Sequence, residues 1–363
     1  MKKTINTMPI AKLNSNLKIP TTKQLGFSLI ELMIGLVIGL IGVLVILQVF
    51  SAFEGQKRTT TGTADAQTNG AIALYSMSRE IQSAGYGLAV FDGATSPLNC
   101  PVNFAVDHDG VAGTSAIAIS PITIVDGGLA GSDTVTVRYG NASGGGIPVP
   151  VNNIVSATVL GVPNNLGCVA NDVAIAQLGA TCVGARVDSL PSNIQIKLNS
   201  TNTMTIAHRL SCIGNWNEYA FSVNANQLQR KVSTAAAEPI VSDIVMIQAQ
   251  YGISANVASN QISSWVNATG VWVTPSLNDR KLIKAVRVAV ISRNSKIENE
   301  VVSFACSDIA SAAPTGLCAW AGTAASNAPT VDLSGTVSWD RYRYRVYETV
   351  IPLRNMVWSL KSL

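Results

Sequence analysis

The longest apolar run of the chain lies near its N-terminus. From Phe27 to Phe53 nearly every residue is apolar, and Glu31 is the only charged one. As a helix this run would measure roughly 40 Å at about 1.5 Å per residue, against about 30 Å for the hydrocarbon core of a bilayer. The pattern therefore predicts one membrane-spanning helix with length to spare.

A second helical pattern follows a weaker stretch. Residues 55–63 read GQKRTTTGT, and two glycines with four threonines make a poor helix former. From residue 64 an apolar stripe returns at helical spacing, and Gly85 favours a helix stop beyond it. The stripe consists of Leu74, Met77, Ile81 and Ala84. We predict one long helix with a soft middle near Gly55–Thr63.

After Gly85 the pattern changes to short alternating segments separated by turns. The predicted strands are Thr134–Tyr139, Ile244–Tyr251 and Lys284–Ile291, with a hairpin of Phe221–Val223 and Gln227–Val232 closed by Asn224–Asn226. Small residues dominate Asn141–Pro150 and Ser307–Ser334, which we expect to be loops. The fold class is therefore α+β, a long N-terminal helix packed on an antiparallel β-sheet domain that loops enlarge.

Charge is distributed unevenly. The first 26 residues contain no carboxylate but five lysines, which are Lys2, Lys3, Lys12, Lys18 and Lys23. Without this segment 20 basic residues face 21 acidic ones, which removes any global argument for a polyanionic partner. Lysines stay on the cytoplasmic side of a membrane span, so we expect the bulk of the chain on the other side.

The start of the apolar run reads Gly26-Phe27-Ser28-Leu29-Ile30-Glu31. A secretory signal is cut after its apolar segment, whereas here the small residue comes before it. This arrangement resembles the class III signal of type IV prepilins, in which a prepilin peptidase cuts after the glycine and the exposed phenylalanine is methylated; a plain N-terminal anchor is the alternative. The resemblance implies cleavage at Gly26 and Phe27, and N-methylation of Phe27.

These boundaries divide the chain into four expected parts. They are a cleaved leader (1–26), a transmembrane half of the long helix (27–53), a periplasmic half (54–84) and a periplasmic β-rich domain (85–363).

Glu31 is the candidate assembly residue. An ionised side chain at membrane depth costs on the order of 1–3 kcal/mol, so it indicates a functional site unless it only snorkels to the interface. In type IV pilins the fifth mature residue is a glutamate that meets the N-terminal amine of a neighbouring subunit, and Glu31 is fifth from Phe27. Gly35 and Gly39 form a G-x-x-x-G pattern that favours close helix packing.

Several blocks extend the resemblance. They are SREIQSAGYG (Ser78–Gly87), GSDTVTVRYG (Gly131–Gly140), LQRKV (Leu228–Val232), VSDIVMIQAQYGI (Val241–Ile253) and YRYRVYETVIPLRN (Tyr342–Asn355). In this order they resemble the PilW family of minor type IV pilins. That resemblance implies a minor pilin that primes pilus assembly and sits in or at the tip of the filament.

All six cysteines fall in the predicted periplasmic domain. An oxidising periplasm favours disulfides over buried free thiols, although six cysteines allow 15 pairings. We expect Cys168–Cys182 and Cys306–Cys318, which leaves Cys100 with Cys212.

The sequence contains no recognisable catalytic, cofactor or metal site. Its two histidines, His108 and His208, lack a catalytic setting, and hydrolase, phosphate-loop and zinc-protease motifs are absent. Asp107 and Asp109 begin a segment like a calcium loop, which lacks the later ligands and is better explained as a turn. The glycine triplet Gly144–Gly146 has no strand-to-helix context for phosphate binding.

Alternation near the C-terminus predicts a strand with Arg341, Arg343 and Arg345 on one face, and with Tyr342, Tyr344 and Val346 on the other. Arginines with aromatic residues bind nucleic acid, but here the aromatics point away from the arginines. A solvated face that pairs with carboxylates of a neighbouring subunit is the favoured interpretation.

We therefore expect a non-enzymatic, single-pass inner-membrane protein that enters a pilus. Its expected partners are other minor pilins, the major pilin, the prepilin peptidase and methyltransferase, and a tip adhesin. The alternatives are a type II secretion pseudopilin, an adhesin or DNA-binding module, and a periplasmic enzyme. The sequence does not decide whether the filament serves motility, adhesion or DNA uptake.

The soft middle of the helix generates the first testable prediction. Amide hydrogens of Gly55–Thr63 should exchange faster with solvent than those of the stripe that follows, because glycine and threonine weaken the helix there. Hydrogen–deuterium exchange on the protein in detergent measures this directly, and uniformly slow exchange through the segment would contradict it.

Overall fold

A computed structural model describes residues 26–88, 96–101, 103–104, 106, 108, 117–128, 130–165, 167–179, 181–200, 204–206 and 208–358. The leader up to residue 25, with its five lysines, and the calcium-loop residues Asp107 and Asp109 lie outside the described residues. The chain divides into two compact units, Met1–Lys57 and Arg58–Leu363. The expected boundaries at residues 26, 53 and 84 stay predictions.

The described residues form three α-helices. They are α1 (Leu29–Ser83), α2 (Leu277–Leu282) and α3 (Arg354–Trp358), and single 3-10 turns cover Pro97–Asn99, Gly270–Trp272 and Trp339–Arg341. The 55 residues of α1 include Gly55–Thr63, so the weak stretch is helical, and its softness stays a prediction. The helix ends just before Gly85, which has φ +77°, as expected.

The described residues contain eighteen strands. They are β1 (Asn103–Phe104), β2 (Ile117–Ala118), β3 (Ile122–Val125), β4 (Thr134–Tyr139), β5 (Val149–Pro150), β6 (Asn153–Ile154), β7 (Val159–Gly161), β8 (Val173–Leu178), β9 (Thr181–Ser192), β10 (Gln195–Leu198), β11 (Arg209–Gly214), β12 (Asn217–Asn224), β13 (Gln227–Val232), β14 (Glu238–Ser242), β15 (Ile244–Ser254), β16 (Ile262–Val266), β17 (Ile283–Ile297) and β18 (Tyr342–Pro352).

Two antiparallel sheets carry the main core. One has the order β14-β13-β12-β4-β3 and the other β16-β15-β17-β18. Their buried faces meet α1 in one apolar cluster that includes Met77, Val137, Phe221, Ile247 and Val288. This confirms the α+β class. The predicted strand Thr134–Tyr139 and the β12–β13 hairpin also form, with Ala225 and Asn226 at φ 49° and 58° in the tight turn.

The loop before β4 ties the two sheets together. The Ser132 hydroxyl accepts a hydrogen bond from the Ile247 amide, and the Asp133 amide donates to the Ile247 carbonyl, both at 2.9 Å. The buried Asp133 carboxylate accepts from the amides of Gly127 and Ala249, at 2.9 and 2.7 Å. The Gly-Ser-Asp start of the GSDTVTVRYG block therefore has a structural explanation.

A third sheet is inserted between β4 and β12, which are neighbours in space. Its order is β5-β11-β8-β9-β10-β7-β6, and only Val151 and Asn152 separate β5 from β6 in the chain. The Val151 amide donates to the carbonyl of His208, next to β11, and the Asn152 amide donates to the carbonyl of Gly161 in β7. One continuous segment thus pairs with both edges, which closes the sheet into a small barrel. The barrel has its own core, which includes Leu160, Ala174, Ala185, Ile196 and Leu210.

The barrel explains why two of the three predicted disulfides are wrong. The bonds are Cys100–Cys182, Cys168–Cys212 and Cys306–Cys318, so only the last pairing is as predicted. Cys168 and Cys212 belong to the barrel core, whereas Cys182 packs against the main core on the opposite side of the barrel wall. Cys168 and Cys182 therefore lie on different faces of the barrel wall. Cys182 bonds to Cys100 instead.

Asp133 generates a prediction about pH. Burial raises the pKa of its carboxyl from 3.8 to about 6, although two amide donors oppose this. Between these values the folded chain holds a proton that the unfolded chain has released, so the free energy of unfolding falls as pH rises from about 4 to 6. The contribution of Asp133 should fall by on the order of 3 kcal/mol across this window.

Denaturant unfolding of the wild type and of Asp133→Asn between pH 3 and 8 measures this contribution as the difference between the two. The exposed Asp308 supplies a matched control, since Asp308→Asn makes the same substitution away from the buried carboxyl group. A wild-type minus Asp133→Asn difference that stays level with pH would contradict the prediction.

Candidate functional site

The predicted cleavage site lies outside the helix and is exposed. Gly26, Phe27 and Ser28 are exposed and precede α1, and a Cβ placed on Gly26 would meet nothing within 4 Å. A peptidase needs a substrate bond that it can reach, and the exposed Gly26–Phe27 bond meets that requirement. Cleavage and methylation at these two residues stay predictions.

The helix start gives Glu31 a capping position that the sequence analysis missed. The carbonyl of Ser28 accepts from the amide of Leu32 at 3.1 Å, so Ser28 is the N-cap and Glu31 the third helical residue. The spacing Ser-x-x-Glu matches a capping box, and the positive end of the helix favours a carboxylate there. A capping role therefore competes with the assembly role for Glu31.

The first part of α1 is an uncovered apolar rod. From Phe27, just before the helix, to Phe53 the exposed fractions of the large apolar residues run from 48% to 84%. Gly35, Gly39 and Gly42 likewise face open space. Among the described residues α1 is the one helix long and apolar enough to cross a membrane. Such a surface needs lipid or other helices around it.

Within the unit Arg58–Leu363 the rest of α1 packs closely on the β-sheets. Its buried residues recur every three or four positions and are Gly62, Ala66, Gly70, Ala73, Met77 and Ile81. Met77, Ile81 and Ala84 are buried as predicted, and Leu74 packs against the core from its edge. The small residues were missed, although their four-residue spacing was a readable signal.

Two glycines set the closest contacts. A Cβ on Gly62 would collide with the side chain of Asn294 on β17, and one on Gly70 with the ring of Tyr347 on β18. Gly62 was assigned to the weak stretch of the helix, but it is explained by this close approach. Because these positions have no side chain, the helix backbone lies directly against the sheet.

Polar contacts fix the helix in this position. The buried side-chain amide of Asn294 donates to the Thr59 carbonyl at 3.2 Å and to the Thr63 hydroxyl at 3.4 Å. At the C-terminal end of α1 the side-chain amide of Asn355 donates to the carbonyls of Ser83 and Ala84, at 3.3 and 3.0 Å, and so caps the helix.

A tyrosine on β4 adds one more hydrogen bond between the sheet and the helix. The Tyr139 hydroxyl donates to the Glu80 carboxylate at 2.7 Å, and burial together with this carboxylate raises the pKa of Tyr139. The helix is therefore held by both apolar and polar contacts.

The arginine row differs from its prediction at one position. Arg341 ends a 3-10 turn instead of lying in a strand, and its Nε donates to the Glu298 carbonyl at 2.8 Å. Arg343 and Arg345 are exposed on β18, and the Arg343 Nε lies 2.9 Å from Glu298 Oε1. Tyr342, Tyr344 and Val346 are half-buried on the other face, as predicted.

No metal centre forms among the residues that the structure describes, since no three His, Cys, Asp or Glu side chains are placed to share an ion. His208 is buried, and its Nδ1 accepts from the Thr205 amide at 3.0 Å. His108 Nδ1 lies 3.5 Å from the Val106 carbonyl. Neither histidine has a catalytic partner in these contacts.

Comparison with known proteins gives two family matches. Residues 214–355 match the model of type IV pilus-assembly protein W, PilW, and residues 21–47 match the prokaryotic N-terminal methylation motif. No curated protein and no solved structure matches the chain. The first match begins at the last residue of β11, so it leaves out almost the whole barrel.

The close contact at Gly70 yields a prediction about stability. Gly70→Val should lower the free energy of unfolding by about 1–3 kcal/mol, because the added methyl groups overlap the Tyr347 ring and force the helix away from β18. Gly55→Val is the matched control, since that position faces open space and valine forms helix better than glycine. Denaturant unfolding in detergent compares them, and equal stabilities of the two variants would contradict the close packing.

Proposed function

From the premise that this chain belongs to the PilW family of type IV pilins, we propose that it is a minor pilin that primes filament assembly and takes a place in or at the tip of the pilus. The observation that carries the proposal is the division of α1 into an uncovered apolar half and a half seated on the β-rich unit. The exposed half suits first a membrane and then the helical core of a filament.

The proposed sequence of events begins with insertion into the inner membrane. The lysine-rich leader stays in the cytoplasm and the β-rich domain enters the periplasm, where its three disulfides form. The prepilin peptidase then hydrolyses the Gly26–Phe27 peptide bond, and a methyltransferase methylates the new amine of Phe27. The transmembrane helix remains as the N-terminus of the mature subunit.

Glu31 acts at the next step. Within lipid its carboxylate lacks a cation, and a neighbouring subunit offers one as its methylated N-terminal amine. Opposite charges attract strongly where the dielectric constant is low, so this contact sets how far one helix slides past the next. The proposed partners are other minor pilins, the major pilin and a tip adhesin, and the protein has a structural role.

The experiment that tests the function is mass spectrometry of filaments sheared from cells. We expect a methylated Phe27 terminus at a few copies per filament relative to the major subunit. Mature protein that stays in the membrane of a strain with normal pili would overturn the pilus assignment in favour of a secretion pseudopilin.

Substitutions of Glu31 separate its assembly role from helix capping. Glu31→Ala should be cleaved normally yet enter filaments poorly, because cleavage requires Gly26 and Phe27 while assembly requires the charge. Glu31→Gln is the informative control, since glutamine also completes a capping box but carries no charge. Both variants should fail alike; if Glu31→Gln assembles as well as the wild type, capping explains the residue and the ionic role is wrong.

A further inference from the structure

A cavity opens between α1 and the first residues of β18, within the unit Arg58–Leu363. Its volume is about 490 Å³, and its lining includes Thr59, Thr63, Asn294, Ser303, Arg343 and Arg345. The hydrogen bonds from Asn294 to Thr59 and Thr63 fix the side of the cavity that the helix supplies. The cavity is therefore preformed rather than a gap between loose segments.

The charged side chains of the described lining are all cationic. Among the described residues that line the cavity, two are arginines and none is acidic. Arg343 engages Glu298 through Nε, which leaves the other nitrogens of its guanidinium for a second acceptor. The guanidinium of Arg345 makes no hydrogen bond or ion pair to a described residue. An anionic group with acceptor oxygens is the complementary ligand.

Two exposed apolar residues lie on chain segments next to the lining of the cavity. Val302 and Ser303 line it, and both amides donate to the carbonyl of Asp340, at 2.8 and 2.9 Å. This pairing brings Phe304, which is 67% exposed, near the segment that contains Val337, which is 87% exposed. A small anion would leave these side chains in water, whereas a protein surface would bury them along with the charge.

We propose that this cavity is a docking site for a carboxylate side chain of a neighbouring pilin subunit. Arg345 and Arg343 hold the carboxylate, and Phe304 and Val337 pack against apolar residues beside it. Arginine and aromatic side chains that become buried on binding are typical of the energetic centre of a protein interface. The inference rests on the proposed function, since that function supplies the neighbouring subunit.

Photo-cross-linking in cells that make pili tests the site on the full-length protein. A benzophenone amino acid replaces Val337, whose exposure leaves room for it, and the cross-linked product is identified by mass spectrometry. We expect a cross-link to another pilin subunit, with a yield that Arg345→Glu lowers about tenfold. Reversal of the acidic residue found in the partner, from carboxylate to arginine, should restore the yield with Arg345→Glu.

Lys231→Glu is the matched control, since it makes the same change of charge at an exposed position on β13 and should leave the yield unchanged. Arg345→Gln guards against misfolding: it removes the charge with little change of shape and should still lower the yield. An unchanged yield in both Arg345 variants, or a cross-link to a protein other than a pilin, overturns the docking site. Filament mass spectrometry of the wild type is scored separately, so absence from filaments rejects the proposed function and not the chemistry of the cavity.

Discussion

The close approach of the helix to the sheets is the contact on which the rest of the β-rich unit depends. Gly62 and Gly70 allow the helix backbone to lie against Asn294 and Tyr347, and the larger Met77 and Ile81 are fully buried further along the helix. A side chain at either glycine would separate the layers, and it would also remove the hydrogen bonds that Asn294 makes to the helix. Dispersion and hydrogen bonding both fall off steeply with distance, so a wider separation of helix and sheet would weaken both kinds of contact.

The barrel shows how a sheet accepts a large insertion without losing its register. β4 and β12 pair along their length although about eighty residues separate them. At the junction the Ala142 amide donates to the Ile213 carbonyl, and the Asn215 amide donates to the Asn141 side chain. The chain therefore leaves and re-enters the sheet at one point. Closure removes the open edges that an inserted sheet would otherwise present to water and to other chains.

Local pattern predicted much of the fold, and the errors come from contacts between distant segments. The alternation of Thr134–Tyr139 and the stripe of Met77 and Ile81 are local signals, and both elements form as predicted. The disulfide pairing depends on which face of the barrel each cysteine occupies, and the strand pattern around Cys168 and Cys182 gives no barrel topology. The strand prediction for Arg341 is wrong for a similar reason, because Glu298, from another segment, accepts a hydrogen bond from Arg341 in its 3-10 turn. At the N-terminus the sequence identified the candidate residues. The capping position of Glu31 could be assigned only once the first residue of the helix was known.

The family match covers one continuous part of the β-rich unit. The matched residues 214–355 contain β12 to β18, which include Asn294, Tyr347 and both arginines of the cavity. The helix seat and the cavity thus belong to one stretch of chain whose geometry is fixed by α1. The barrel lies almost wholly outside that stretch, yet Val173 and Ile175 on β8 face the main core while Ala174 and Ala176 face the barrel core. Because one strand serves two cores, the barrel is packed into the unit rather than attached to it by a linker.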